Sequence, residues 1–269
     1  MTADPHGGGG PTLLLAGVLA LGYEWLSLRA AKPGRPWPPG RGIAFLAGCA
    51  VLALAAGVPP HSFTGHMTRH LLIGMVAPLG LVLGAPVTVL MRALPASSAR
   101  VLTRALRTRT VRWISHPVTA LALTVGTLAL LYCTPLYARS VADPALHQLL
   151  DLHFLLSGAL FAAAIAGPDP APHRPSVPVR LVVLGVAVAA HATLSQLLYA
   201  GAGVSIPAAV ADRQAGATIM YYGGDLTELL LAGALVASWR PRPAGRRPGW
   251  PTRVIGGPAG SSAGASGRR

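Results

Sequence analysis

The chain has 269 residues, of which 52% are hydrophobic and only 11% charged, with a mean hydropathy of +0.52. That composition excludes a soluble domain with an ordinary charged surface, so lipid forms part of its solvent. The formal net charge of +14 invites a nucleic-acid reading, which the placement of the basic residues removes.

Seven apolar stretches, each long enough to cross a ~30 Å hydrocarbon layer as helix, predict an all-α polytopic membrane bundle. The first, Pro11–Leu28, has no basic residue before it and Arg29 after it, so it is expected to be a retained span and not a cleaved leader. Near its end, Glu24 and Arg29 are expected to form an ion pair. After a Pro/Gly-rich loop, Lys32–Gly40, the second stretch is Gly42–Val58. It holds Cys49, which with Cys133 of the fourth stretch reads as a small packing residue, since no Cys-x-x-Cys motif is present. The third, Gly65–Leu90, opens on His66, Met67, Arg69 and His70. Pro78 and Pro86 are expected to bend it, and Gly80-x-x-x-Gly84 permits close helix approach. Ala96–Ile114 interleaves Arg with Val101, Leu102, Leu106, Val111 and Trp113, which suits a helix lying on the inner leaflet.

The fourth stretch, Pro117–Tyr137, should bend at Pro135; His61 and His116 read as interfacial polar residues. The fifth, Ala145–Ala166, carries His147, Asp151 and His153. The sixth is Val177–Gly201, with His191, and the seventh is Gln214–Trp239, with Asp212 at its mouth and Met220, Asp225 and Glu228 inside. Residues 1–240 thus read as one transmembrane domain and 241–269 as a disordered, basic cytoplasmic tail.

Nineteen of the 22 Lys and Arg residues fall in the alternate connections after spans one, three and five and in the tail; Arg69, Arg139 and Arg213 alone fall near the other side. By the positive-inside rule the N-terminus is outside and the C-terminus cytoplasmic. The basic charge then belongs to topology and anionic lipid, not to nucleic acid.

Polar groups inside hydrocarbon cost several kcal/mol each unless partnered, so they mark function. His66 and His70, four residues apart, share a helical face at the outer end of span three. His147 and Asp151 do the same on span five, with His153 about 100 to 120° further round. His66, His70, His147, Asp151 and His153 are the candidate first ligands of a metal; Met67, His191, Asp212, Met220, Asp225 and Glu228 are secondary candidates. The same His-bearing spans suit axial ligation of a haem, and Asp225, Glu228 and His191 suit a copper or proton-coupled transport path. No nucleophile with its base, phosphate loop or zinc-protease motif is present, so an enzyme is not expected.

The ordered set His66-Met-Thr-Arg-His70, Leu83-Gly-Ala-Pro86, His116-Pro117, His147-x-x-x-Asp151-x-His153, Asp169-Pro170 and Asp212-Arg-Gln214-Ala-Gly216 resembles the CtaG family of cytochrome c oxidase assembly factors. The resemblance runs from about Gly65 to Trp239. One position departs from it: Asp151 stands where the family tends to repeat His. It implies a bacterial cell-membrane assembly factor for a haem-copper oxidase, with oxidase subunits as partners. It also implies copper as the cargo, delivered from a donor in the outer compartment. Imidazole suits copper, and Met67 and Met220 offer soft sulfur for Cu(I).

Overall fold

A computed structural model describes residues 9–59, 61–171 and 174–239; the expected tail over 241–269 lies outside them. Every named element is a helix. Among the described residues six helices are long and apolar enough to cross a membrane: α1 (Gly10–Ala30), α2 (Pro39–Ala56), the continuous run Phe63–Leu83, α10 (Pro144–Ala166), α11 (Val177–Ala200) and α12 (Val210–Ala237). The seventh expected span is divided. α8 (Pro117–Cys133) and α9 (Leu136–Ala142) meet at 82° across Thr134 and Pro135, where the proline ring ends the helix as expected. Leu14, Leu21, Leu28, Leu156, Val186 and Leu229 point away from the protein, as lipid-facing side chains must.

Phe63–Leu83 is helical throughout but not uniform. α3 (Phe63–Leu71) passes through a π-turn (Leu72–Val76) into α4 (Ala77–Leu83). Pro78 has no N–H to return to the carbonyl four residues back. The wider turn before it, with the Ala77 amide bonded to Leu72 O, accommodates that loss within one helix. At Pro86 the expected bend is a full stop: Ala85 adopts φ 54° and ψ 57°, because the residue before proline is pushed out of the right-handed helical region. α5 (Pro86–Ala93) then starts afresh, followed by the short helices α6 (Ala96–Leu106) and α7 (Arg109–Ile114).

Glycine sets the closest approaches. A methyl group on Gly80 would stand 2.8 Å from Ala44 O, and one on Gly84 would stand 2.6 Å from Phe45 Cβ, so the Gly80/Gly84 pair is where α4 seats against α2. Beside it Tyr23 stacks on Phe45, and its hydroxyl donates to Gly84 O at 2.8 Å. α10 runs through the middle of the bundle, touching α4, the π-turn, α8, α9, α11 and α12. The expected Glu24–Arg29 pair is not what forms: the Arg29 guanidinium lies over the Trp25 ring, 4.1 Å from its centre. Both cysteines are free thiols.

Two aspartates hold the ends of helices that come from far away in the chain. Asp212, at the start of α12, accepts from the Phe63 and Thr64 amides at 2.8 and 3.0 Å and from Thr64 Oγ1 at 2.6 Å. Ser62 accepts from the next amide, Gly65, at 3.0 Å. The first turn of α3 therefore has its orphan N–H groups met by a negative charge at the positive end of the helix. Asp169 repeats the device on α5, accepting from the Val87 and Thr88 amides at 3.0 and 2.7 Å and from Thr88 Oγ1. Asp212, a secondary metal candidate by sequence, is thus engaged as a cap. Asp212→Ala is expected to cost about 1–2 kcal/mol, the upper range for a lost helix cap. A melting curve in detergent checks this, and an unchanged midpoint would remove the capping role.

Candidate functional site

The candidate residues on α3 and α10 sit where these two helices begin, under the α8–α9 corner. His66 is buried, and its Nε2 lies 3.1 Å from Tyr132 Oη. That hydroxyl also donates to Met67 Sδ at 3.5 Å. The His66 ring packs edge-on against Tyr137 at 4.9 Å and against His147 at 5.8 Å between centroids. Phe63, Met67, Tyr132, Tyr137 and Met220 close the same pocket as one apolar cluster, and Gly216 on α12 is bare because a methyl there would press on Phe63 and Met67. The loop between α11 and α12 seals the corner, with the Ser205 amide donating to Tyr132 O at 2.8 Å.

The five first candidates do not form one set. Among the described residues no group of three or more His, Cys, Asp and Glu side chains is arranged to hold a metal ion. Asp151 is taken by Arg69, whose Nε and Nη2 both reach its Oδ2, at 2.9 and 2.8 Å, from a buried position on α3. Arg69 also donates to Ala55 O and to Thr12 Oγ1, tying α1, α2, α3 and α10 together. His147 Nε2 stands 3.9 Å from the same Asp151 oxygen, beyond hydrogen-bond reach. His153 turns the other way, towards α8, where its Nε2 meets Thr127 Oγ1 at 2.9 Å. His70, one turn beyond His66, lies edge-on to Phe154 at 4.4 Å and faces an internal cavity.

Of the secondary candidates, Met67 joins the His66 pocket through Tyr132, while Met220 is buried in the same cluster. His191 and Glu228 face each other deeper in the bundle, with His191 Nδ1 and Glu228 Oε1 4.0 Å apart, and Asp225 lies one turn before Glu228 on α12. Where α3 and α10 begin, the two imidazoles that approach each other are those of His66 and His147. His147 Nε2 is buried and has no hydrogen-bond partner. Two imidazoles on one ion place their centroids at most about 6.2 Å apart, from a metal–nitrogen bond of about 2.0 Å and about 1.1 Å from nitrogen to ring centre on each side. The observed 5.8 Å is compatible with a shared ion at a bent angle.

Sequence reasoning missed Tyr132 and Tyr137, which flank Pro135 and form the wall opposite α3. The signal available was two tyrosines bracketing a predicted bend at the depth of the His pairs. His116, by contrast, is a helix cap: its Nδ1 accepts from the Val118 amide at 3.3 Å.

Comparison with known proteins bears on this arrangement. Uncharacterized proteins of Mycobacterium bovis and Mycobacterium tuberculosis are each 34% identical over 246 residues, and one of Mycobacterium leprae is 32% identical over the same length. Each match takes in 82% of this chain but only 37% of the relative, so the chain spans little more than a third of their length. No solved structure matches. The family model of the cytochrome c oxidase caa3 assembly factor, Caa3_CtaG, matches residues 21–242, and the chain belongs to that family.

Proposed function

We propose that this chain works in the bacterial cell membrane as a copper-handling assembly factor for a haem-copper oxidase, taking copper at the His66–His147 pair. The approach of these two rings, one with an unpartnered nitrogen, carries the reading. Two imidazoles suffice for Cu(I), which accepts low coordination numbers and soft donors. The 19-to-3 division of basic residues supports an orientation with this end of the bundle facing the outer compartment. A site there meets copper from outside and passes it to an oxidase subunit lying alongside in the bilayer.

Metal analysis and a visible spectrum of the purified protein test this together. After incubation with Cu(I) and removal of excess, about one copper per chain is expected, without a Soret band. A Soret band in the protein as isolated would turn the reading to haem. Absence of retained copper would overturn it.

A further inference from the structure

The end of α8 opposite Tyr132 carries uncompensated charge. No Asp or Glu occurs between Glu24 and Asp143, whereas Arg100, Arg104, Arg107, Arg109 and Arg112 crowd into one short segment. All five are exposed on or beside α6 and α7. α7 ends where the Ser115 and His116 amides return to Val111 O and Trp113 O, at 2.9 and 3.2 Å, and α8 begins at once. An open groove of about 960 Å³ runs between α7, the first turns of α8 and Arg174 of the α10–α11 connection.

The rim of this groove is cationic. Arg109 and Arg112, three residues apart, share a face of α7, and Arg174 reaches the same groove from the other side. Among the described residues none of the three is ion-paired. Arg174 donates to Asp169 O at 2.7 Å, while the Asp169 carboxylate is spent on the Val87 and Thr88 amides. The wall that leads away from the rim is apolar: Val118 and Ala122 are exposed and four residues apart on one face of α8. Ala122 lies ~6 Å further into the span than Val118, at 1.5 Å per residue. Trp113 stands exposed at the junction of the two regions.

Each half of the groove recognises a different part of one molecule. Guanidinium groups give paired N–H bonds to phosphate oxygens, an indole suits the level of headgroup and glycerol, and an apolar helix face inside a bilayer meets an acyl chain. Basic pockets against membrane helices are docking places for anionic headgroups. A free phosphate would use the rim and leave the α8 face idle. We propose that this groove binds one anionic phospholipid of the adjoining leaflet, with its phosphate among Arg109, Arg112 and Arg174 and an acyl chain along Val118 and Ala122. The lipid bridges α7 to the α10–α11 connection. The site stands apart from the His66 pocket and does not depend on copper.

Native mass spectrometry of the full chain in detergent, titrated with phosphatidylglycerol or with phosphatidylcholine of the same acyl chains, tests the proposal. One phosphatidylglycerol per chain is expected to be retained, with a preference over phosphatidylcholine of at least about tenfold. The triple variant Arg109→Gln, Arg112→Gln, Arg174→Gln should lose that preference. The triple variant Arg100→Gln, Arg104→Gln, Arg107→Gln removes the same charge from outside the groove and should keep it. Millimolar glycerol phosphate should leave the bound lipid in place. Equal retention of the two lipids by the wild-type chain overturns the proposal, whether or not the variants accumulate. So does equal loss in both triple variants, the mark of diffuse surface charge, and so does displacement by glycerol phosphate, the mark of a site for free phosphate.

Discussion

Replacing His66 or His147 with Ala is expected to lower copper affinity at least about tenfold, equivalent to about 1.4 kcal/mol, while the protein still inserts. Each variant takes one of two imidazoles from the proposed ion, and a water in its place is a weaker donor to soft Cu(I). Cells carrying either variant should make oxidase apoprotein and haem but little active enzyme when copper is scarce, with recovery in excess copper. His153→Ala should behave differently, since its imidazole is engaged with Thr127 on α8 and faces away from the pair. His116→Ala serves as the control at an exposed cap. Copper titration of the four purified proteins, alongside oxidase activity in copper-limited cells, checks the pattern. Normal copper binding by both His66→Ala and His147→Ala would sink the two-imidazole site.

Breaking the Arg69–Asp151 pair should be the most damaging single change to stability. The guanidinium is buried and the carboxylate half-buried, with both Nε and Nη2 on one oxygen. Asp151→Leu takes the Asp151 carboxylate from a buried cation, and loss of one partner of such a pair costs about 3–5 kcal/mol. Arg69→Leu leaves the carboxylate unpaired and also frees Ala55 O and Thr12 Oγ1. The double replacement removes both charges, so it should be markedly less destabilised than the sum of the singles, the sign of direct coupling. Thermal unfolding of the three variants in detergent measures this. Simple additivity would mean that the pair contributes no coupling.

The spans were legible because hydrocarbon thickness imposes length and apolarity on every one, and proline marked the breaks at 86 and 135. What proline does at 78 was not legible: a ring without an N–H can bend a helix or be absorbed by a π-turn, and packing against α10 and α2 selects between them. The site was legible by residue type and depth but not by partner. His66 and His70 share a stripe, yet one turn of separation along α3 places one against Tyr132 and His147 and the other against Phe154. Spacing showed His147 and Asp151 as neighbours on α10. It gave no sign of the Arg69 charge arriving from α3, which holds Asp151 at 2.8 and 2.9 Å where the His147 ring stays 3.9 Å away.

The Asp212 cap has a consequence for biogenesis. Ribosomes deliver this chain from its N-terminus, so α3 and its histidines emerge and insert long before residue 212 exists. Until α12 arrives, the Phe63 and Thr64 amides lack their carboxylate, and Gly216, Met220 and the loop that covers Tyr132 are still missing from the pocket. Helix α12, made long after α3, therefore completes the first turn of α3. A nascent or truncated chain that lacks α12 cannot present the finished surroundings of His66, which ties the site proposed for copper to the arrival of that helix.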